Sequence, residues 1–151
     1  MNPVAIFKSL QNKPFGKWLF SKAVCFQAPY FSSIKPKIEQ LEPRLCVVTI
    51  NDKRRVRNHL GTVHAIAMCN MAELSAGMMT DASIPKGARW IPSGMTVNYV
   101  KKAKGKLTAT AQGNNLDWQS EGTKEVPVSV KNEKGDEVLN AKISMNVKLA
   151  S

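Results

Sequence analysis

Asn58, His64 and Glu73 lie within the stretch NHLGTVHAIAMCNMAE (58–73), and Glu73 is the one acid between Asp52 and Asp81. The stretch opens as a turn and runs on as small and apolar residues, which sets a carboxylate on a long helix candidate. A helix N-terminus offers unpaired backbone N–H groups and a partial positive charge. Aimed at a carbonyl, one such donor contributes roughly 3 kcal/mol to stabilising the oxyanion of acyl transfer. A carboxylate within reach serves as general base for water or attacks the acyl carbon itself. The competing reading is a solvated glutamate on an exposed helix face.

Spacing sets which elements position these groups. Leu60, Val63, Ala67, Met71, Leu74 and Met78 recur at three- and four-residue intervals, which predicts a helix over about 62–80. Gly61 and Thr62 suit its start, and Ser83 to Gly87 with Pro85 suit its end. On a helical wheel Glu73 falls about 120° from the apolar stripe, beside Ile66, Cys69, Asn70 and Gly77. That second face is solvent in a monomer and an interface in a dimer.

The stretch LCVVTI (45–50) is apolar and β-branched, as a buried strand requires. Beyond residue 94 the period changes to two. Met95, Val97 and Tyr99 form one alternating set, and Leu107, Ala109 and Ala111 another. Val126, Val128 and Val130 form a third, and Leu139 to Leu149 a long fourth. These patterns predict an antiparallel sheet with one buried face, with hairpin-like turns at Lys104-Gly105 and Lys134-Gly135-Asp136. Residues 3–28 read as one or two basic amphipathic helices broken near Pro14 and Gly16. Their apolar faces suit packing on the domain better than a membrane surface, and a linker with Pro29 and Pro36 follows. The order of elements gives an α+β domain whose sheet packs on one long helix.

The 151 residues fit one domain, and 43% hydrophobic content excludes disorder. Net charge is +11, and it is concentrated in the first two-thirds. Residues 1–44 hold seven bases and two acids, 45–112 ten and three, and 113–151 five and six. Such a field suits a polyanion, and the clusters at 53–57 (KRRVR) and 101–106 (KKAKGK) are its densest parts. No aromatic-interleaved stacking motif accompanies them, which argues against nucleic acid. Three cysteines (Cys25, Cys46, Cys69) without close pairing and two histidines argue against a disulfide framework or a metal site. They fit a reducing, cytoplasmic setting. Lysines at 8, 13, 17 and 22 interrupt any signal-peptide core, and no apolar run is long enough to span a membrane. Trp90, Tyr99, Trp118 and the helix methionines read as core or interface residues. Cys69 has no base beside it in the sequence and reads as structural.

Asn58-x-x-Gly61-Thr62-Val63-His64, eight residues and then Glu73 resembles the hotdog-fold acyl-CoA thioesterases of the phenylacetyl-CoA thioesterase type. TVNYVKKAKGKLTATAQG (96–113) is similar to that family's following hairpin. The likeness covers about 45–149 as a hotdog core. Residues 1–44 resemble the helical extension and linker of a less-characterised branch, so that 1–151 is one domain. The resemblance implies an α+β hotdog fold, a five-stranded antiparallel sheet wrapped round a long central helix. It also implies a homodimer or a dimer of dimers, with active sites between protomers. By position Glu73 matches the catalytic acid and Asn58 the residue that positions water or thioester. Ala65 matches the residue whose backbone N–H polarises the carbonyl, and His64 an orienting histidine.

Where that family has two glycines after the histidine, this chain has Ala65 and Ile66. Alanine keeps the N–H donor, while its Cβ and the bulk of Ile66 narrow the approach. The expected substrate is a thioester of coenzyme A or acyl carrier protein, with coenzyme A as part of the substrate and no separate cofactor. Ile66 would border the acyl group. Arg54, Arg55, Arg57, Lys101, Lys102 and Lys104 would hold coenzyme A phosphates. A module on the same fold that binds acyl-CoA or lipid without turnover is the alternative.

Overall fold

The computed structural model describes residues 2–150. Helix α1 (Pro3–Leu10) starts at Asn2, whose side-chain oxygen accepts from the Val4 and Ala5 N–H groups. Gly16 then permits a tight reversal into α2 (Gly16–Gln27), because a Cβ there would sit 1.8 Å from the Leu10 carbonyl oxygen. Phe7 and Phe20 close the α1–α2 contact edge to face, with ring centroids 5.2 Å apart. The 3-10 turn Pro29–Ile34 leads to β1 (Lys37–Glu42), β2 (Leu45–Ile50) and a second 3-10 turn at Arg54–Val56. The long helix α3 (Ala65–Ser83) follows, and then β3 (Arg89–Tyr99), β4 (Leu107–Gln112), β5 (Gly122–Lys131) and β6 (Glu137–Lys148).

All strand pairs are antiparallel, in the order β1-β2-β4-β5-β6-β3. The inward faces of β2, β4, β5 and β6, from Cys46 and Val48 to Met145 and Val147, are fully buried against α3. The helix is rich in alanine and methionine, which favour the helical state and fill an irregular core. It is therefore wrapped rather than one-sided: between Met68 and Thr80 only Cys69 and Glu73 keep partial exposure.

The structure corrects several expectations. The sheet has six strands rather than five, since β1 occupies part of the expected linker. Its signal is weak because only Ile38 and Leu41 are buried and a register shift between Ile38 and Gln40 breaks the alternation. α3 is displaced by three residues from the expected span, with His64 as its N-cap, and Leu60 is exposed in the preceding turn. The Lys104-Gly105 turn does not join neighbouring strands. β3 lies at the outer edge beside β6, whereas β4 lies between β2 and β5. The Lys134-Gly135-Asp136 turn does close a hairpin, between β5 and β6. Trp118 is buried, but Tyr99 on the β3 edge is exposed.

Candidate active site

Backbone bonds on both sides fix the start of α3. The Val63 N–H donates to the Ala103 carbonyl at 2.8 Å, and the His64 N–H to the Val56 carbonyl at 2.7 Å. The His64 Nδ1 accepts from the Ile66 N–H at 3.0 Å, so the histidine caps the helix with its ring. In that geometry Nδ1 is unprotonated and a neutral ring carries its proton on Nε2. The Ile66 N–H is thus already satisfied. The Ala65 N–H has no partner among the described residues, which leaves it as a free donor at the positive end of a 19-residue helix.

Asn58 holds the preceding turn together. Its Oδ1 accepts from the Leu60 and Thr62 N–H groups at 3.0 and 3.2 Å, and its Nδ2 donates to Thr62 Oγ1 at 2.9 Å. One amide hydrogen stays uncommitted, since the amide carries two. Glu73 lies two turns along α3. It forms no hydrogen bond or ion pair among the described residues, and it shares one open stripe of the helix with Ile66 and Cys69. The next position on that stripe, Gly77, is covered by the Trp90 ring, 2.8 Å from where a Cβ would stand. Trp90 is held in turn by a hydrogen bond to Asp81. At the other end Tyr99 OH lies 3.5 Å from Cys69 Sγ. These two contacts set β3 beside the stripe, with the partly exposed Glu73 between them.

Ala65 and Glu73 do not meet within one chain. Eight residues of helix separate them by about 12 Å of rise and about 80° of rotation. A reacting carbonyl has to sit about 3 Å from each group. On the adjoining side of the helix start, Arg55, Arg57, His64, Ile66, Ala67 and Asn70 contribute to the wall of an open cavity of about 170 Å³. Asn70 donates to Ser33 Oγ at 3.2 Å, while its buried Oδ1 has no partner among the described residues.

The structure joins the two basic segments through Asp52, a residue the sequence reading passed over. Its Oδ1 accepts from Arg57 Nε at 2.7 Å and its Oδ2 from the Gly105 N–H at 3.0 Å. The Arg57 hydrogen bond holds the Asp52 carboxyl below the usual carboxylate range, against the opposing effect of burial and with help from Gly105. An acid placed ahead of three arginines was the available signal. Arg54, Arg55, Lys102 and Lys104 are exposed and have no ion-pair partner among the described residues, whereas Lys101 pairs with Asp136 at 3.2 Å. Burial pushes the Cys25 and Cys46 thiols up, away from the reactive thiolate form, with Lys22 opposing the effect at Cys25. Among the described residues no cluster of three or more metal-ligating side chains occurs.

Residues 16–147 match the model of a family described as a domain of unknown function, DUF4442. The chain belongs to this family. A structural-genomics crystal structure is 46% identical, with a TM-score of 0.88, and the match covers 98% of this chain and 99% of that one. A Pseudomonas aeruginosa protein described as a probable thioesterase superposes with a TM-score of 0.75 at 18% identity, over 85% of this chain and 92% of that one. A Haemophilus influenzae thioesterase does so with a TM-score of 0.76 at 16% identity, over 93% and 95%. At these identities the last two show a shared fold, the hotdog fold of thioesterases. No curated protein matches the chain.

Proposed function

We propose that this family member hydrolyses acyl thioesters of coenzyme A or acyl carrier protein, with active sites formed between two copies of the chain. The observation that carries the reading is the pairing of a free Ala65 N–H at a helix N-terminus with an unpartnered, partly exposed Glu73 carboxylate on the same helix. The separation of about 12 Å between them calls for a second protomer. β3 is an outer strand with one unpaired edge, and the exposed Ile91 and Tyr99 stand on its two faces, with exposed Val100 just beyond it. A two-fold contact along such an edge sets two α3 helices antiparallel, which brings Glu73 of one protomer toward Ala65 of its partner.

In this reading the Ala65 N–H stabilises the oxyanion. Glu73 takes the proton of an attacking water or itself attacks the thioester carbon, and the thiolate leaves. His64 locks the helix start, and Asn58 shapes the turn that carries it and points its spare amide hydrogen at the reacting group. Ile66 borders the acyl group, and coenzyme A phosphates lie along Arg54, Arg55 and Arg57 and along Lys101, Lys102 and Lys104. The enzyme needs no further cofactor or metal, acts as a dimer or a dimer of dimers, and works in the cytoplasm.

The test is a panel of short, medium, long and aryl acyl-CoAs with wild type and Glu73→Gln. Loss of turnover by about a hundredfold or more, with binding retained, is the expected result. Equal turnover by both proteins removes Glu73 from the chemistry. Binding without turnover in wild type supports instead a non-catalytic module for acyl-CoA or lipid. Charge reversal at Arg54 and Arg55 is expected to raise KM for acyl-CoA, and an unchanged KM excludes those two from the phosphate site.

A further inference from the structure

The N-terminal helices leave a second apolar surface uncovered, on the outward side of α2. Its inward side is anchored. Phe20 and Cys25 are buried, and Ser21 Oγ donates to the Lys17 carbonyl while accepting from the Ile38 N–H of β1 at 2.8 Å. The opposite side carries Trp18, Leu19 and Phe26, which are 54%, 53% and 90% exposed, and Phe15 at the N-cap is 83% exposed. By helical rotation Trp18, Leu19 and Phe26 fall within an arc of about 100° that excludes the buried Phe20, Ser21 and Cys25. Lys22 lies inside the arc, its Nζ 5.6 Å from the Trp18 ring centroid.

Local packing does not explain Phe15. Its φ of 58° is left-handed, a conformation that glycine or asparagine adopts more easily. A large ring held there and turned to solvent does nothing for the fold of the isolated chain. The charge around it is mainly positive: the first 38 residues contain six lysines and no acid. Lys13, Lys17 and Lys37 also border, with Phe15 and Trp18, an open concavity of about 400 Å³. Lys17 and Lys37 lean on Glu39 at 3.5 and 3.1 Å, which leaves Lys13 uncommitted among the described residues.

We infer that the outward side of α2 docks on an anionic lipid bilayer surface. Phe15, Trp18, Leu19 and Phe26 enter the region between headgroups and acyl chains, while Lys13 and Lys22 meet lipid phosphates. Aromatic rings and lysines interleaved on one helix face suit that interface, where each lysine gains from the surface potential and each ring from partial burial. No described helix is long and apolar enough to cross a membrane, so this is attachment in the plane of the surface. The inference does not depend on thioester chemistry.

The experiment is co-sedimentation of the full chain with phosphatidylcholine vesicles, with and without phosphatidylglycerol, at low and high salt. Wild type is expected to bind the anionic vesicles, to release as salt rises, and to show a blue shift of tryptophan emission that Trp18→Phe removes. The triple variant Phe15→Ser/Trp18→Ser/Phe26→Ser loses binding, and Lys13→Glu/Lys22→Glu weakens it about tenfold or more. Phe15→Asn guards against misfolding, because it relaxes the left-handed residue and still weakens binding. No binding by wild type, or equal binding by a folded triple variant, overturns the inference. Wild-type self-association lost in the triple variant, without vesicle binding, also overturns it and assigns the face to a second copy.

Discussion

The β3 edge and the outward side of α2 both expose apolar side chains, yet they differ in chemistry. Along β3 the exposed groups stand on a strand with one unpaired edge and no charged residue from Trp90 to Val100. That combination suits a protein partner that completes the ladder and buries the edge. On α2 the exposed groups are mostly aromatic, the backbone bonds are satisfied within the helix, and lysines surround them. That surface suits a fluid, negatively charged medium that offers no ladder. Exposed apolar area alone does not say what covers it; the backbone and the charge around it do.

Substitution at the β3 edge is expected to have the largest effect. Ile91→Lys/Tyr99→Lys is expected to convert a dimer into monomers and to abolish turnover with it, as light scattering and a thioesterase assay would read. Full activity in the monomer would put the active site inside one chain. The α2 triple variant is expected to leave kcat/KM for a short, soluble acyl-CoA within about twofold of wild type. A large loss there would merge two surfaces that are separate in this account.

The smallest effect is expected at Asp52, which ties the two basic segments together. Its pKa is lower in the folded chain than unfolded. Its contribution is therefore present above the ordinary carboxylate range and disappears as pH falls through the lowered value. Asp52→Asn should lower Tm by a few degrees at neutral pH and by nothing once the solution is acidic enough to protonate the wild-type group. A Tm difference that persists in acid would assign the effect to packing.

The sequence carries the long helix and most of the strands because their periods are clean, from the valines of β5 to the continuous alternation of β6. β1 was hidden by its two buried positions and its irregular pairing. Strand neighbours were equally hidden, since period two fixes which face is buried but not which strand lies alongside. That is why the turn at Gly105 read as a hairpin although β3 pairs with β6. At the site, the spacing singled out Glu73 and the helix start. It did not reveal that His64 takes up the Ile66 N–H, that the Trp90 ring covers Gly77, or that Asp52 joins the basic segments. Those are long-range or side-chain events. The aromatic residues of 15–26 read as ordinary core, because an amphipathic pattern shows an apolar face without showing whether another layer covers it.

Ala65 of one protomer and Glu73 of the other are proposed to act on one thioester. Ala65→Pro removes the N–H at the first helical position, where proline is well tolerated and where His64, with φ −64° and ψ 138°, already has the conformation that precedes proline. Glu73→Gln removes the carboxylate. Each variant alone is expected to be inactive. When the two are unfolded and refolded together in equal amounts, random pairing restores one intact site in half of the dimers, or about a quarter of wild-type activity. A mixture as inactive as its components would contradict a site shared between protomers.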